Sequence, residues 1–203
     1  MAEIMRSTGE PSKTQRTRAR LVAATGDEIA ETGSFTAERV ANRAGTAVAT
    51  FYIHLPTKDD ALTATFGEVM DELVCVVDAS LTRERLELEG LEVLARGFVD
   101  ACLAFFGERS QVFRLALARM PEHRPLREVY RAHEANAFSL YAGFIESGQR
   151  AGLLRAGDVT TLTRSLLVLS QGLNNPLALG LGAEDSLRDE LARLVVALLA
   201  PHS

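Results

Sequence analysis

The stretch TAERVANRAGTAVATFYIHLPTK, which occupies residues 36–58, predicts two short helices on either side of a single glycine. Thr36 is one of the residue types that cap helix N-termini, and apolar residues recur after it at the spacing of one helical face. Gly45 ends the first of these helices, and the second ends before Pro56. Two helices of about eight residues around one glycine, packed on a longer helix, form a helix-turn-helix unit.

Helical patterns continue in both directions from this unit. A helix from Lys13 to Thr32 precedes it and stops at Gly33, and Thr57 caps a linking helix that runs to about Ser80. Apolar residues at helical spacing then predict five further helices, at about 88–107, 110–120, 125–150, 158–181 and 185–199. With the two short helices, at about 37–44 and 47–54, the sequence predicts an all-α fold of about nine helices.

The pattern also divides the chain into an arm, a head and a body. Residues 1–12 show no periodicity and are predicted to be a disordered arm. Residues 13–56 form the predicted three-helix head with its helix-turn-helix. Residues 57–203 form the predicted body, which begins with the linking helix at 57–80.

The charge of the chain is distributed unequally between these parts. The net charge is −5, yet residues 1–62 carry eight Lys and Arg against eight Asp and Glu. The net negative charge therefore lies in residues 63–203. Near the N-terminus a basic cluster is formed by Lys13, Arg16, Arg18 and Arg20. This distribution suits a protein that contacts phosphate groups with one end only.

The residue types and spacing of the head resemble those of the TetR family of transcriptional regulators. The matching positions are Thr17-Arg18, Ala23-Ala24, Gly33, Thr36, Val40-Ala41, Ala44-Gly45, Thr50-Phe51-Tyr52, His54 and Lys58. The resemblance is close over residues 17–62 and extends to the remainder only in helical layout. It implies a homodimer that binds a double-stranded DNA operator with the head and a small-molecule effector with the body. The DNA-binding residues that it implies are Arg18, Thr36, Thr46, Ala47, Val48, Ala49, Thr50, Tyr52, His54 and Lys58.

The second short helix departs from the family pattern at the positions that face base edges. Ala47, Val48 and Ala49 offer none of the side chains that form paired hydrogen bonds with bases. Base reading is therefore expected to rely on methyl contacts with thymine, groove shape and the Thr50 hydroxyl. Helical periodicity alone would instead place Val48 in the core with Phe51 and Leu55.

Phosphate contacts are expected from the residues that flank the base-reading helix. The helix N-terminus at Thr36, the Tyr52 hydroxyl, the His54 ring and the Lys58 ammonium are all suited to phosphate oxygens. Four arginines could also reach the DNA backbone or the minor groove, although solvated helix faces are an equally good interpretation for most of them. These are Arg16, Arg18, Arg39 and Arg43.

The middle helices of the body carry most of the aromatic residues, together with a few polar ones. Aromatic walls with occasional polar groups are typical of ligand pockets, and they also occur in ordinary helical cores. The predicted pocket residues are Phe105, Phe113, Leu117, His133, Phe138, Tyr141, Gln171 and Asn175. An apolar or aromatic small molecule is the expected effector, because fixed cationic side chains are few in this region.

The last two predicted helices carry leucine-rich faces that could join two subunits. One recognition helix buries too little surface for selective DNA binding, so two heads related by a twofold axis are expected. The predicted dimer interface consists of Leu162, Leu166, Leu169 and Leu173 with Leu191, Leu194, Val195 and Leu198. The alternative interpretation is that some of these side chains belong to the core of a single subunit.

The sequence therefore predicts a ligand-responsive DNA-binding regulator, acting as a repressor that its effector releases from a palindromic operator. The alternative is an interaction protein that has this fold without specific operator binding. Neither an enzyme nor a cofactor is expected, because the sequence has no phosphate-binding glycine loop, nucleophile motif or metal-ligand spacing. Cys75 and Cys102 are predicted to be buried core residues. The chain is expected to be cytoplasmic, since it has neither a signal peptide nor a membrane-spanning run.

Overall fold

The computed structural model describes residues 12–175 and 185–201 and is helical over most of these ranges, with no strand among them. The helices are α1 (Lys13–Thr32), α2 (Ala37–Arg43), α3 (Val48–His54), α4 (Lys58–Ser80), α5 (Arg83–Arg119), α6 (Arg124–Arg150), α7 (Val159–Gly172) and α8 (Asp185–Leu199). The predicted all-α fold is confirmed, with eight described helices in place of about nine. The predicted disordered arm lies outside the described residues, except for Ser12.

The chain forms two compact units, which divide between Thr65 and Phe66. This point lies within α4, a few residues after the start of the predicted linking helix. The first unit contains α1, α2, α3 and the beginning of α4, and the second contains the remainder. Among the described residues, no helix is both long enough and apolar enough to cross a membrane.

The first helix begins and ends where its sequence signals predict. The Ser12 hydroxyl accepts a hydrogen bond from the Gln15 backbone N–H, and the Gln15 side chain accepts one from the Ser12 backbone N–H. This reciprocal pairing satisfies N–H groups that a helix start leaves without partners. At the other end Gly33 adopts φ 69°, a left-handed conformation that terminates helices and suits glycine.

The turn between α2 and α3 depends on Gly45, whose φ is 61°. A β-carbon at this position would also lie 3.3 Å from a guanidinium nitrogen of Arg20. Arg20 itself donates a hydrogen bond to the carbonyl oxygen of Ala44, so α1 braces the turn directly. The buried side chains of Val40, Phe51 and Leu55 fill the core beneath it.

In the second unit, α5 differs from the two helices that the sequence predicts for this region. It runs without interruption through residues 108–110, so the predicted break there is wrong. The helix bends instead at Gly90, where φ is 79° and ψ is 165°. Beyond this kink, one face of α5 supplies the centre of the core, including the buried rings of Phe98, Phe106 and Phe113.

The leucine-rich faces of α7 and α8 point mostly into the subunit to which they belong. Four residues of the predicted dimer interface are buried within the single chain, namely Leu162, Leu166, Leu173 and Val195. The others remain at least partly accessible, namely Leu169, Leu191, Leu194 and Leu198. The prediction was wrong for the first group because helical periodicity identifies an apolar face without identifying what covers it. The predicted helix at 158–181 ends at Gly172, and its final part, 176–181, lies outside the described residues.

The two cysteines have different environments. Cys102 is buried in α5, as predicted, whereas Cys75 is exposed on α4, so the prediction for Cys75 was wrong. Both thiols are free.

Candidate DNA-contacting surface and ligand cavity

The second helix of the helix-turn-helix presents its N-terminal residues to solvent. Ala47 precedes α3 as its N-cap residue, and no side chain caps the helix at this end. Ala47 and Ala49 are exposed, while Thr46, Val48 and Thr50 are half-buried. Val48 thus lies between the two predicted environments, at the edge of the core that contains Phe51 and Leu55.

The residues predicted to contact phosphate groups are accessible around this helix. Tyr52 is 47% exposed, and its ring packs edge-on against buried Phe51 with centroids 5.2 Å apart. The Lys58 ammonium lies 5.3 Å from the centre of the Phe35 ring, which holds this cation in place near the start of α4. His54 is half-buried and Arg18 is exposed.

Thr36 caps α2, as the sequence predicts. Its hydroxyl oxygen accepts a hydrogen bond of 3.3 Å from the Arg39 backbone N–H. The hydroxyl proton is directed to the Glu38 carboxylate, whose pKa is lowered first by its hydrogen bond with the Glu38 backbone N–H and then by the one with Thr36.

One exposed residue of α3, Ile53, was not predicted from the sequence. Ile53 is 76% exposed, more than any other residue among the large exposed hydrophobic side chains of this unit. It lies four positions after Ala49, so the two side chains share one face of the helix. The available signal was that Ile53 falls outside the spacing of Val48, Phe51 and Leu55, since an apolar residue outside the buried stripe must face outward.

Two of the arginines predicted as possible DNA contacts are engaged within the unit instead. The buried carboxylate of Glu28 in α1 pairs with Arg39 at 3.0 Å and with Arg43 at 2.8 Å. Arg43 also forms a two-pronged contact with Glu31, whose pKa is lowered chiefly by these hydrogen bonds. Both guanidinium groups therefore join α2 to α1, a role that neither the DNA-contact nor the solvated-face interpretation predicted.

The second unit contains a cavity of about 200 Å³ lined by four helices and open at one end. Its walls are mainly apolar, with polar groups from α6 and α7. The lining residues are Met70, Leu73, Val74 and Val77 of α4; Cys102, Phe106, Phe113 and Leu117 of α5; Tyr130, His133, Glu134, Ala137 and Tyr141 of α6; and Leu167, Ser170, Gln171 and Asn174 in and after α7.

The cavity brings together most, but not all, of the predicted pocket residues. Phe113, Leu117, His133, Tyr141 and Gln171 line it. The other three do not: Phe105 is buried and packs against the rings of Phe106 and Phe113, Phe138 follows the lining residue Ala137, and Asn175 is exposed. The contribution of α4 to the cavity was not predicted from the sequence.

Hydrogen bonds fix the polar groups of the cavity. The Tyr141 hydroxyl donates to the Ser170 hydroxyl at 3.0 Å, and Ser170 donates to the Leu167 carbonyl oxygen at 2.8 Å. Gln171 donates from its amide nitrogen to a carboxylate oxygen of Glu134 at 3.2 Å. These polar groups are therefore held in place by hydrogen bonds within the unit.

The buried protonatable groups of the cavity stay neutral. Burial raises the pKa of the Cys102 thiol to about 12, so the reactive thiolate is not formed near neutral pH. Burial also raises the pKa of Tyr141, against the smaller effect of its hydrogen bond with Ser170. The cavity thus offers shape, aromatic surface and hydrogen bonds, and no activated nucleophile among the buried residues that the structure describes.

Comparison with known proteins identifies the fold. No protein-family model matches the sequence, and no curated protein matches it. Among solved structures, a TetR-family transcriptional regulator from Mesorhizobium loti is 16% identical, covers 94% of this chain and 100% of its own, and has a TM-score of 0.75. A TetR transcription regulator from Haloarcula marismortui is 18% identical, with coverages of 90% and 96% and a TM-score of 0.71. The chain has the TetR-regulator fold.

A third structure of this TetR-regulator fold contains a bound aromatic molecule. The complex of SmeT with triclosan is 20% identical to this chain, covers 92% of both chains and has a TM-score of 0.65. The fold similarity extends through both compact units, since each match covers a larger share of the chain than either unit contains.

Proposed function

We propose that this chain is a dimeric, ligand-responsive DNA-binding regulator of the TetR type that acts as a repressor. The observation that carries the proposal is the similarity of fold to TetR-family regulators over at least nine-tenths of the chain. The accessible surface around α3 and the cavity in the second unit supply the two kinds of site that such a regulator needs. A DNA operator, a small-molecule effector and a second copy of the chain are the proposed partners.

DNA binding would rest on phosphate contacts that flank a largely apolar reading surface. Tyr52 and Lys58 are accessible, and each is held by an aromatic neighbour, which reduces the entropy cost of forming a contact. Ala47, Ala49 and Ile53 would meet base edges with methyl groups. Such a surface favours thymine, whose methyl group is accessible in the major groove.

Regulation would depend on α4, which belongs to both compact units. This helix begins at Lys58 and contributes Met70, Leu73, Val74 and Val77 to the cavity. A molecule that binds the cavity and favours one position of α4 would shift the population of head arrangements. The complex of SmeT with triclosan supports an aromatic effector for this chain, because SmeT has a similar fold.

Operator binding can be tested with a site selected by the protein itself. A palindromic site is first selected from random-sequence duplexes, and its affinity is then measured by fluorescence anisotropy over a range of salt concentrations. We expect Lys58→Gln to weaken binding and to reduce the slope of log affinity against log salt by about one, because the variant removes one cationic contact with a phosphate. Uracil in place of thymine at each half-site should weaken binding by removing the methyl groups.

A matched control for this experiment is Arg124→Gln. Arg124 lies on α6 in the second unit and pairs with nearby Glu128, so this variant makes the same change in net charge away from the head. It should bind the operator like the wild type. Failure to select any site, or binding that salt does not weaken, would favour the alternative of an interaction protein with this fold.

A further inference from the structure

The cavity in the second unit contains one acidic side chain and no Lys or Arg among its described lining residues. The acidic side chain is Glu134 of α6, which accepts a hydrogen bond from the neutral amide of Gln171. An amide donor satisfies part of the hydrogen-bonding capacity of a carboxylate and leaves its charge in place. Whether that charge is balanced depends on the one histidine in the cavity wall.

The histidine is His133, and its ring is engaged elsewhere. Its Nδ1 lies 2.8 Å from the Val129 carbonyl oxygen, and its Nε2 lies 2.8 Å from a carboxylate oxygen of Asp71. Both ring nitrogens therefore face acceptors other than Glu134, and Asp71 balances any charge that the ring carries. Among the residues that the structure describes, the Glu134 carboxylate has no cationic partner.

The charge lies at one end of the cavity and the apolar surface at the other. Cys102, Phe106 and Tyr141 are buried, so they form the deep end. Glu134 and Gln171 are at least partly exposed, so they form the mouth. The volume of about 200 Å³ is somewhat larger than the roughly 150 Å³ of an apolar cavity that holds benzene. A ligand of one ring with a short polar extension fits these dimensions.

A third group supports a cation at the mouth. Tyr130 is half-buried in the same wall, and burial together with the negative charge of Glu134 raises the pKa of its phenol. The phenol therefore stays neutral. The π-face of its ring is electronegative, and the ring lies near enough to Glu134 to be affected by its charge. A positive group beside Glu134 would gain from both the carboxylate and the aromatic ring.

We propose that the effector of this cavity is a compact aromatic cation, with its ring among the buried apolar side chains and its ammonium group at Glu134. This inference rests on the proposed function, because only a regulator has an effector, and it adds the chemical class that the cavity selects. A neutral ligand would remove water from the Glu134 carboxylate without supplying a compensating charge. An anionic ligand would be repelled by the carboxylate.

The inference can be tested with three probes of similar size and different charge. These are phenethylammonium, 2-phenylethanol and phenylacetate, whose binding to the full chain is measured by isothermal titration calorimetry at neutral pH and low salt. An alkylammonium is charged under these conditions, as the lysine side chain is. We expect phenethylammonium to bind about tenfold more tightly than 2-phenylethanol, and phenylacetate to bind most weakly, because charge-assisted hydrogen bonds at a partly exposed site are of this strength.

The variant Glu134→Gln removes the charge and keeps the shape of the side chain. It should weaken the binding of phenethylammonium by about tenfold and leave that of 2-phenylethanol unchanged. Glu128→Gln is the matched control, because Glu128 lies on the same helix and pairs with Arg124 away from the cavity. It makes the same change in net charge and should leave the binding of all three probes unchanged. Thermal unfolding of both variants checks that each is folded.

Three results would overturn the inference: phenylacetate binding as tightly as phenethylammonium, a preference for the cation that survives Glu134→Gln, or no binding of any probe up to its solubility limit. None of these results would affect the proposed operator binding, which is measured separately by anisotropy. Conversely, binding of phenethylammonium that depends on Glu134 but leaves the operator complex intact would support the ligand class that the cavity selects and contradict regulation through this cavity.

Discussion

Two glycines that look alike in the sequence differ in the space available for a β-carbon. Both Gly26 in α1 and Gly148 in α6 lie inside helices, where glycine is less favourable than alanine. A β-carbon at Gly26 would lie 3.4 Å from a methyl carbon of Thr65, which is ordinary contact. At Gly148 it would lie 2.5 Å from a methyl carbon of Leu154. The first glycine can therefore be replaced, and the second is required for close packing.

We therefore expect Gly26→Ala to raise the free energy of unfolding by about 0.5–1 kcal/mol. Gly148→Ala should lower it by roughly 1–3 kcal/mol, because the added methyl group must displace Leu154. Urea unfolding followed by circular dichroism measures both changes. Gly143→Ala is a useful control, since a β-carbon there meets nothing within 4 Å and alanine should stabilise α6 there as it stabilises α1 at Gly26. A loss of stability in Gly26→Ala would contradict the described packing of α1 on α4.

The sequence did not predict correctly which individual residues line the cavity. The sequence indicated the aromatic faces of the body, yet it favoured Phe138 as a lining residue over its neighbour Ala137. Adjacent residues on a helix point about 100° apart, so Ala137 and Phe138 face different directions, and only Ala137 lines the cavity. Large side chains fill space, whereas a cavity lies beside small ones such as Ala137 and Ser170. The packing of all four helices determines which small residues border the cavity, so a local sequence pattern cannot predict them.

At the scale of helices, the sequence predicts extent well where capping residues mark the ends. The bounds of α1 are those predicted from Lys13 and Gly33, and α4 begins one residue after its predicted cap, Thr57. The internal structure of α5 was not predictable in the same way. Glycine both bends helices and occurs within them, so the kink at Gly90 and the continuous helix at Gly107 have the same local signal. Tertiary packing decides between the two outcomes.

The contact between α1 and α2 depends on the buried carboxylate of Glu28, which pairs with Arg39 and Arg43. The variant Glu28→Gln keeps one acceptor oxygen and removes the charge, so two guanidinium groups lose their common partner. We expect the free energy of unfolding to fall by about 1–3 kcal/mol. Urea unfolding measures the change, and Glu31→Gln provides the control. Glu31 is exposed and contacts only Arg43 of the two, so its replacement should cost less. Equal losses of stability in the two variants would contradict a central role for Glu28.

At the scale of the whole molecule, the proposed dimer needs an apolar surface that the single chain leaves accessible. Four of the leucine and valine side chains predicted for this surface are buried in the core. The accessible apolar surface of α7 and α8 includes Leu194, which was predicted and is 54% exposed, and Val168, which was not predicted and is 68% exposed. In the proposed dimer the second subunit would cover both side chains. The sequence predicted only part of the accessible face of these two helices, because helical periodicity does not distinguish apolar residues that the subunit covers from those that it leaves accessible.

Replacement of Val168 and Leu194 together by glutamate should separate the subunits. Each substitution puts a charge on the proposed interface, where two copies would meet across a twofold axis and bury like charges against each other. We expect sedimentation equilibrium to report a dimer for the wild type and a monomer for the double variant, and we expect operator affinity to fall because one head contacts only one half-site. Leu88→Glu is the control, because Leu88 is 86% exposed on α5 and lies outside the proposed interface. It should remain dimeric. A double variant that still sediments as a dimer would exclude these faces of α7 and α8 as the contact between subunits.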